Sequence, residues 1–493
     1  MPPVSAALGM AAAYYAYPVF LSFPRGMFIL LGLFFLLTAA HSLLCVLRFF
    51  PGDKIPAHIS RTGILVTAGV IGFSLGIAAR RSVSDKPVFG LAPENISSVS
   101  GILMEDPRSL VGGSGLGVLE LRECGADGGI RASARGRVTI FFPSESIPRL
   151  KEFGRGSEIY SDGILNSGSR GPLFRAASVH IVRSAPALET FRTGLRMTLL
   201  DKFQSRQGRT SVWGGLASAL LLGVRDDLQA DLADGFRNSG CSHILALSGM
   251  HLAILSGILA FLIRRPLGIR WASLIGAVFI VGYVFIAGSQ PSLMRSAIMY
   301  LIGTFSIWGL LKAKPMSLLC MAFIIQLIIQ SHTGLSLSFI LSYLALAGIL
   351  SLGQTIHSLL RGRMPEIISG SLSASLGAFI FTSSVVVFYF GGLRPIGLLA
   401  GLFLAPLSSL FMILALAALA AGFLPFPIWD LLDFVLGWFY RFLEFLVSLA
   451  GAVPEIPFSN PIPILVFSVL FWLAVVLIQR HDNLHRNSID SFN

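Results

Sequence analysis

Charge is scarce in this sequence: Asp, Glu, Lys and Arg together make up 13% of 493 residues, against about a quarter in ordinary soluble domains. With 54% hydrophobic residues, that excludes a chain that is soluble throughout and points to one whose main solvent is a bilayer. Paired cysteines are lacking too. Cys45, Cys124, Cys241 and Cys320 stand singly, with no CxxC and no His/Cys cluster of zinc spacing, so neither a disulfide framework nor a structural metal follows from them. No GxxxxGK[ST] stretch is present, so no built-in ATPase is expected. The first apolar run has no basic n-region of the kind that marks a cleaved signal peptide. No catalytic set, cofactor or metal is expected.

Long apolar runs are plentiful. They fall near 5–23, 27–47 and 62–79, and again near 241–263, 271–288, 291–311, 316–331, 334–354, 370–391, 395–422, 427–450 and 463–479. Each is close to the roughly 20 residues that cross a hydrocarbon core as helix, which predicts a polytopic α-helical membrane protein of about 12 transmembrane helices. Lys and Arg, enriched in short cytoplasmic loops, gather on one side: Arg48, Lys54, Arg61, Arg264, Arg265, Arg270, Lys312, Lys314, Arg361, Arg363, Arg480 and Arg486. Both termini are therefore expected in the cytoplasm and residues 80–240 outside, in an inner (plasma) membrane.

Between Arg80 and about Arg209 polar residues and glycines rise sharply. Alternating runs at about 97–104, 114–124, 136–142, 157–165 and 177–183 predict five short strands, and a small inserted β-barrel of the oligonucleotide/oligosaccharide-binding kind (OB-like) is the economical expectation. From Leu188 to Phe203 the spacing predicts a basic amphipathic helix in the outer interface, with Arg192, Arg196 and Lys202 off its apolar face. Val212 to Gly223 is apolar but too short to span, so a re-entrant element is expected, followed by an interfacial helix carrying Leu228, Leu232 and Phe236. The resulting organisation is N-terminal helices over 1–80, the extracytoplasmic domain over 81–185, amphipathic and re-entrant helices over 186–240, a transmembrane bundle over 241–480 and a cytoplasmic tail over 481–493.

Polar residues at membrane depth are functional candidates by default. The densest group, Gly223 to Leu255, carries Asp226, His243, Ser248, Gly249 and His251. Ser and His suggest acyl transfer, but no orienting acid accompanies them and the nucleophile-elbow pattern is absent. The two histidines stand eight apart, at positions sharing a face in a continuous helix, without a third metal ligand nearby. Small and polar residues also serve plain helix packing. Pro291 starts a helix that takes Arg295 about one turn into the membrane, where it either meets a phosphate or is capped by carbonyls. In the helix over 427–450, Asp430, Asp433, Gly437, Arg441, Glu444 and Ser448 share one face, with Arg441 and Glu444 an expected internal pair. On the soluble domain, Arg131, Arg135, Arg137, Arg155, Arg170 and Arg175 interleave with Phe142 and Tyr160, the pairing of cation and aromatic that single-stranded nucleic acid uses; a solvated basic surface over core aromatics reads the same way.

At these residues the chain resembles the ComEC family of competence DNA channels. Ala219 to Asp226, then Phe236, Gly240 and His243-Ile-Leu-Ala-Leu-Ser-Gly-Met-His251, is similar to that family's signature; so are Gly288 to Met299, with Pro291 and Arg295, and Phe339 to Ala345. Ile340, Ser296 and Gly401 depart from the family pattern. The resemblance implies a channel passing single-stranded DNA into the cytoplasm during natural transformation, with Asp226, His243, Ser248, Gly249, His251, Pro291 and Arg295 along the path. It also implies a periplasmic DNA receptor, a cytoplasmic helicase or single-strand-binding protein and membrane lipid as partners, and it allows a homo-oligomer. Many relatives end in a metallo-β-lactamase-like domain; no HxHxDH motif occurs here, so the expectation is a short form without a nuclease of its own. An intramembrane Ser/His hydrolase and a transporter of another substrate are the alternatives.

Overall fold

The computed structural model describes residues 2–21, 68–69, 71–80, 87–110, 113–168, 171–206, 209–309, 314–421, 428–458 and most of 460–474. The expected span at 27–47 and the tail over 481–493 lie outside the described residues.

The part between residues 88 and 183 is built on strand alternation. Strand β1 spans Val88–Phe89, β2 Ser98–Leu103, β3 Arg108–Ser109, β4 Gly115–Ala126, β5 Ile130–Arg135, β6 Arg137–Phe142, β7 Glu158–Gly168 and β8 Gly171–Arg183. Along β4, Leu119 and Leu121 are buried while Glu120 and Arg122 are exposed, the period of two that gives a sheet one wet and one dry face. Five strands hydrogen-bond in a closed ring: β2 to β4, β4 to β6, β6 to β8, β8 to β7 and β7 back to β2. Only β6 with β8 is parallel, and the crossover between β6 and β7 carries helix α3, Ile147–Phe153. The interior is apolar, with Leu103, Leu119, Ile140, Phe142, Ile159 and Phe174 at 0% exposure. Burying side chains of this size is worth about 1.5–3 kcal/mol each. Gly117 is needed there: a Cβ would sit 2.8 Å from the Phe142 ring. The five ring strands lie where alternation places them, and β7 and β8 run on as a long hairpin beyond the expected ends.

Around this ring the chain is mostly helical: α1 Pro2–Leu21, α2 Ile71–Arg80, α4 Ala187–Gln204, α5 Gly214–Leu222, α6 Ala230–Asn238, α7 Ser242–Leu245, α8 Gly249–Ala287, α9 Pro291–Ile307, α10 Pro315–Ile329, α11 Leu337–Gly348, α12 Gln354–Leu360, α13 Glu366–Phe390, α14 Ile396–Ala421 and α15 Ile428–Gly451. Five helical segments among the described residues are long and apolar enough to cross a membrane: α8, the run Leu337–Leu360, α13, α14 and the Asp430–Gly451 part of α15. At 39 residues α8 would be about twice a bilayer core, but Gly268 at φ 80°, ψ 169° interrupts it just after Pro266. It is a pair of helices, matching the two runs expected at 241–263 and 271–288. A π-turn at Ile349–Gly353 joins α11 to α12, where Gly348, Gly353 and Gly377 of α13 bring two backbones into contact.

Three local expectations are corrected. Arg192 and Arg196 on α4 are turned inward and ion-paired, leaving Leu188 and Phe191 outward, so this helix shows no basic face to lipid headgroups. Leu232 and Phe236 of α6 turn toward protein and are buried against α15. Arg441 and Glu444 form no ion pair among the described residues: Arg441 is exposed, whereas Glu444 acts on Tyr440 of its own helix. The short apolar segment at 212–223 is helix α5, with all nine residues buried, in keeping with the rule that interrupted elements at membrane depth are enclosed by protein.

Candidate functional site

Two groups of polar side chains stand out, one fastening the strand ring to the helices and one inside the helices. The first centres on Asp106, in the loop between β2 and β3. Its carboxylate accepts from Arg192 Nη2 at 2.6 Å, from Arg196 and from the Arg155 backbone N–H at 3.1 Å. Glu189 accepts from Arg192 Nε at 2.7 Å and Arg155 Nη2 at 2.5 Å. The Arg192 side chain is 1% exposed, so without these carboxylates its charge would stand uncompensated. Burial by itself raises both carboxyls; hydrogen bonds and charge from Arg192 and its neighbours outweigh it and hold Asp106 and Glu189 below the ordinary range. Asp226 makes a second tie, to Lys151 Nζ of α3 at 2.7 Å and from the Ser109 N–H of β3 at 3.0 Å. Asp226 and Arg155 therefore hold the ring to the arm α4 and the loop after α5; neither is free to meet a substrate.

The outer wall of the ring keeps part of the expected cationic surface. Phe142 is corrected: it is core, at 0% exposure. Its neighbour Phe141 points outward, where the Arg175 guanidinium lies 5.5 Å from the ring centre. Register aligns Leu116, Phe141, Arg175 and Ile164 across β4, β6, β8 and β7, with Arg137 two pairs along from Thr139 toward the opposite end. Arg131 and Tyr160 sit elsewhere, in a groove with Ser98, Ser100, Arg122, Glu123 and Glu158, where Tyr160 donates to Asp162 at 2.7 Å. Arg135 is exposed and Arg170 lies outside the described residues. Arg137, Glu105 and Glu120 act electrostatically on His332, in the turn between α10 and α11.

Inside the helices, chain breaks rather than helix faces gather the second group. The extended residues Ala246 and Ser248 separate α7 from α8, so His243 and His251 do not share a helix face as expected; His243 is exposed on α7, and among the described residues no three ligating side chains cluster around a metal position. Ser248 is the N-cap of α8. Its backbone N–H donates to His251 Nδ1 at 3.0 Å, with the Ser248 hydroxyl 3.4 Å from the same nitrogen. A nitrogen that accepts from an amide carries no proton, so the neutral ring carries it on Nε2. That Nε2 is buried without a hydrogen-bond partner, and His251 is 0% exposed. The contact is a helix cap: the nitrogen nearest the hydroxyl is already committed to the backbone.

The N-terminal turn of α9 packs against this cap. Ser292 donates to the Leu247 carbonyl, and a Cβ on Gly249 would lie 2.5 Å from Ser296 Oγ and 3.3 Å from Arg295 Nη2. Arg295 Nη1 donates to the Ser342 carbonyl of α11, and the guanidinium lies 6.0 Å from the Tyr343 ring centre. Tyr343 donates to Gln326 Oε1 at 2.8 Å, and Gln326 Nε2 donates to the Pro291 carbonyl at 3.0 Å. Thus Ser248, Gly249, His251, Pro291 and Arg295 come together, while Asp226 and His243 do not join them. The sequence reading missed Gln326, Ser342 and Tyr343; the sole amide in the apolar run of α10 was the available signal.

No solved structure matches the chain. It is similar to ComE operon protein 3 of Bacillus subtilis (strain 168), at 29% identity over 282 residues, which are 54% of this chain and 34% of that protein; the chain thus spans about a third of the length of this relative. The model of the family described as Competence protein matches residues 220–481, the region that holds both the α8 cap and Arg295, and the chain belongs to that family.

Proposed function

We propose that the protein conducts single-stranded DNA through the inner membrane into the cytoplasm during competence, the strand ring capturing it outside and the helices passing it inward. The observation that carries this is the buried polar group at α8–α9. Arg295 and His251 keep buried N–H groups without a protein partner and, unlike Arg192 and Arg196, Arg295 has no carboxylate beside it, so a polar or anionic traveller would satisfy them. The ring supports the same reading. Its strand order, single parallel pair and helix between the third and fourth ring strands fit an OB barrel, and the β4–β6 wall with Phe141, Arg137 and Arg175 corresponds to the wall by which such barrels take oligonucleotides. Basic residues at the α8 break, before α10 and at Arg361 and Arg363 support a cytoplasmic position for that end and an outside position for the ring. In this reading both termini are cytoplasmic, an external receptor delivers the DNA, and a cytoplasmic helicase or strand-binding protein draws it in.

The Ser248–His251 cap favours this over a hydrolase, because its geometry orients a helix rather than a nucleophile. The test is deletion of the gene, with labelled DNA followed separately at the cell surface and in the cytoplasm. Surface binding that persists while internalisation is lost supports the proposal; normal internalisation without the protein overturns it.

A further inference from the structure

A buried guanidinium ordinarily has a carboxylate partner, because a lone charge away from water is costly. Arg295 has none: its side chain forms no ion pair among the described residues, its surroundings offer only a carbonyl and the Tyr343 ring, and it is 9% exposed with Nε lacking any partner. Its other terminal nitrogen, Nη2, is directed at the first turn of α8, 3.3 Å from the position a Gly249 Cβ would take. That turn supplies backbone N–H groups that no helix carbonyl can satisfy and the positive end of the helix dipole. His251, on the same turn, adds a buried N–H with no partner, and the Ser342 hydroxyl beside the carbonyl that holds Arg295 is likewise unpartnered. Glycine at 249 lets α9 approach this closely, since a Cβ there would meet Ser296 Oγ first and crowd the guanidinium. A guanidinium facing a helix N-terminus across a short gap, with no acid between them, meets the requirements of an oxyanion site.

We propose that the first turn of α8 and the Arg295 guanidinium form a binding site for one phosphodiester group, engaged by each successive nucleotide of the passing strand. The site rests on the strand-conducting reading for its biological role but not for its existence. It would hold phosphate weakly, as a site that must release its ligand to the next requires.

The full chain in detergent, titrated with inorganic phosphate, with the 5′-phosphorylated dinucleotide pTpT and with a short-chain phosphatidate, tests it by ³¹P line broadening and by the shift in melting temperature. The expected result is saturable binding of pTpT, weaker binding of phosphate, and no saturable broadening by phosphatidate. Arg295→Gln should weaken pTpT by at least about tenfold, the loss of one charge-assisted contact, with Arg295→Lys intermediate and Arg441→Gln, at an exposed position away from both sites, unchanged. If Arg295→Gln does not fold, Ser342→Ala and Gly249→Ala carry the same test, expected to weaken pTpT about threefold and tenfold. Wild-type affinity in a folded Arg295→Gln chain overturns the site, as does tighter binding of phosphatidate than of pTpT. Phosphate binding that depends on Arg295 in a protein whose deletion leaves DNA uptake normal would keep the site and discard the transport reading; lost uptake on deletion with Arg295-independent binding would do the reverse.

Discussion

The strand ring and the helical bundle treat their polar atoms in opposite ways. Within residues 88–183 every buried side-chain nitrogen or oxygen of the described residues has a partner, and the cations are exposed, as Arg131, Arg135 and Arg175 are, half-buried, as Arg137 is, or bound to carboxylates. Outside the ring the unpartnered buried atoms accumulate: Arg192 Nη1, Thr193 Oγ1 and Arg196 Nε at the joint, then Ser218 Oγ, His251 Nε2, Arg295 Nε, Gln330 Oε1, Ser342 Oγ and Ser408 Oγ in the bundle. A surface of solvated cations makes reversible, salt-dependent contact with a polyanion. A buried set of unmet polar atoms, donors and acceptors both, is instead a standing cost, sustained where something repays it. In the proposed function the ring captures and the bundle transfers.

That contrast is sharpened or broken by substitutions on either side. The largest effect is expected in the bundle: Arg295→Gln should lower cytoplasmic arrival of labelled DNA at least a hundredfold while surface binding stays within about twofold, since only the transfer site is altered. Equal losses of both would erase the division of labour. Next is the joint between the regions. Asp106→Asn leaves Arg192 buried beside Glu189 alone; breaking a buried pair costs about 3–5 kcal/mol, and because the Asp106 side chain is 24% exposed a loss of about 2 kcal/mol is expected, seen as earlier proteolysis of α4 on heating.

The same joint fixes a pH dependence. Asp106 and Glu189 titrate below their ordinary values when folded, so they bind protons less readily folded than unfolded. Their contribution to stability is complete above the unfolded values, about 4, and is lost as pH falls through the lower folded ones. The melting temperature should therefore be flat from pH 5 to 8 in this respect and drop below about pH 4, less so in Asp106→Asn. A smaller change is expected at the outer wall. Phe141→Ala or Arg175→Ala should weaken single-stranded DNA binding by roughly 1–3 kcal/mol, and only the arginine change should reduce the salt slope, by about one unit. Smallest is Ser248→Ala: the backbone N–H to His251 remains, so uptake should stay within about threefold. Complete loss there would favour hydrolysis over conduction.

Period explains which parts of this molecule could be read before folding. The alternation of β4 and β6 announces the ring strands, and the long apolar runs announce α8, α13 and α14, because each pattern is local. The pairing of charges is not. Arg192 and Arg196 have the spacing of a basic helix face, and only the return of the β2–β3 loop with Asp106, some ninety residues earlier, turns that face inward. Phe141 and Phe142 are adjacent and equally aromatic; register alone decides that the second is core and the first is displayed. At the candidate site, Ser248, Gly249, His251 and Arg295 were legible as polar residues in apolar runs, whereas Asp226 looked the same and serves the joint. Gln326 and Tyr343 come from other helices, and sequence distance hides them.

The most direct measurement places a photoreactive side chain at Ser342, beside Arg295, and illuminates cells while they take up end-labelled DNA. Crosslinks to single-stranded DNA at this position during uptake, absent when the same cells only bind DNA at their surface, are the expected result. Crosslinks confined to positions on the ring, with none at Ser342 while internalisation proceeds at the normal rate, would contradict a path through the bundle.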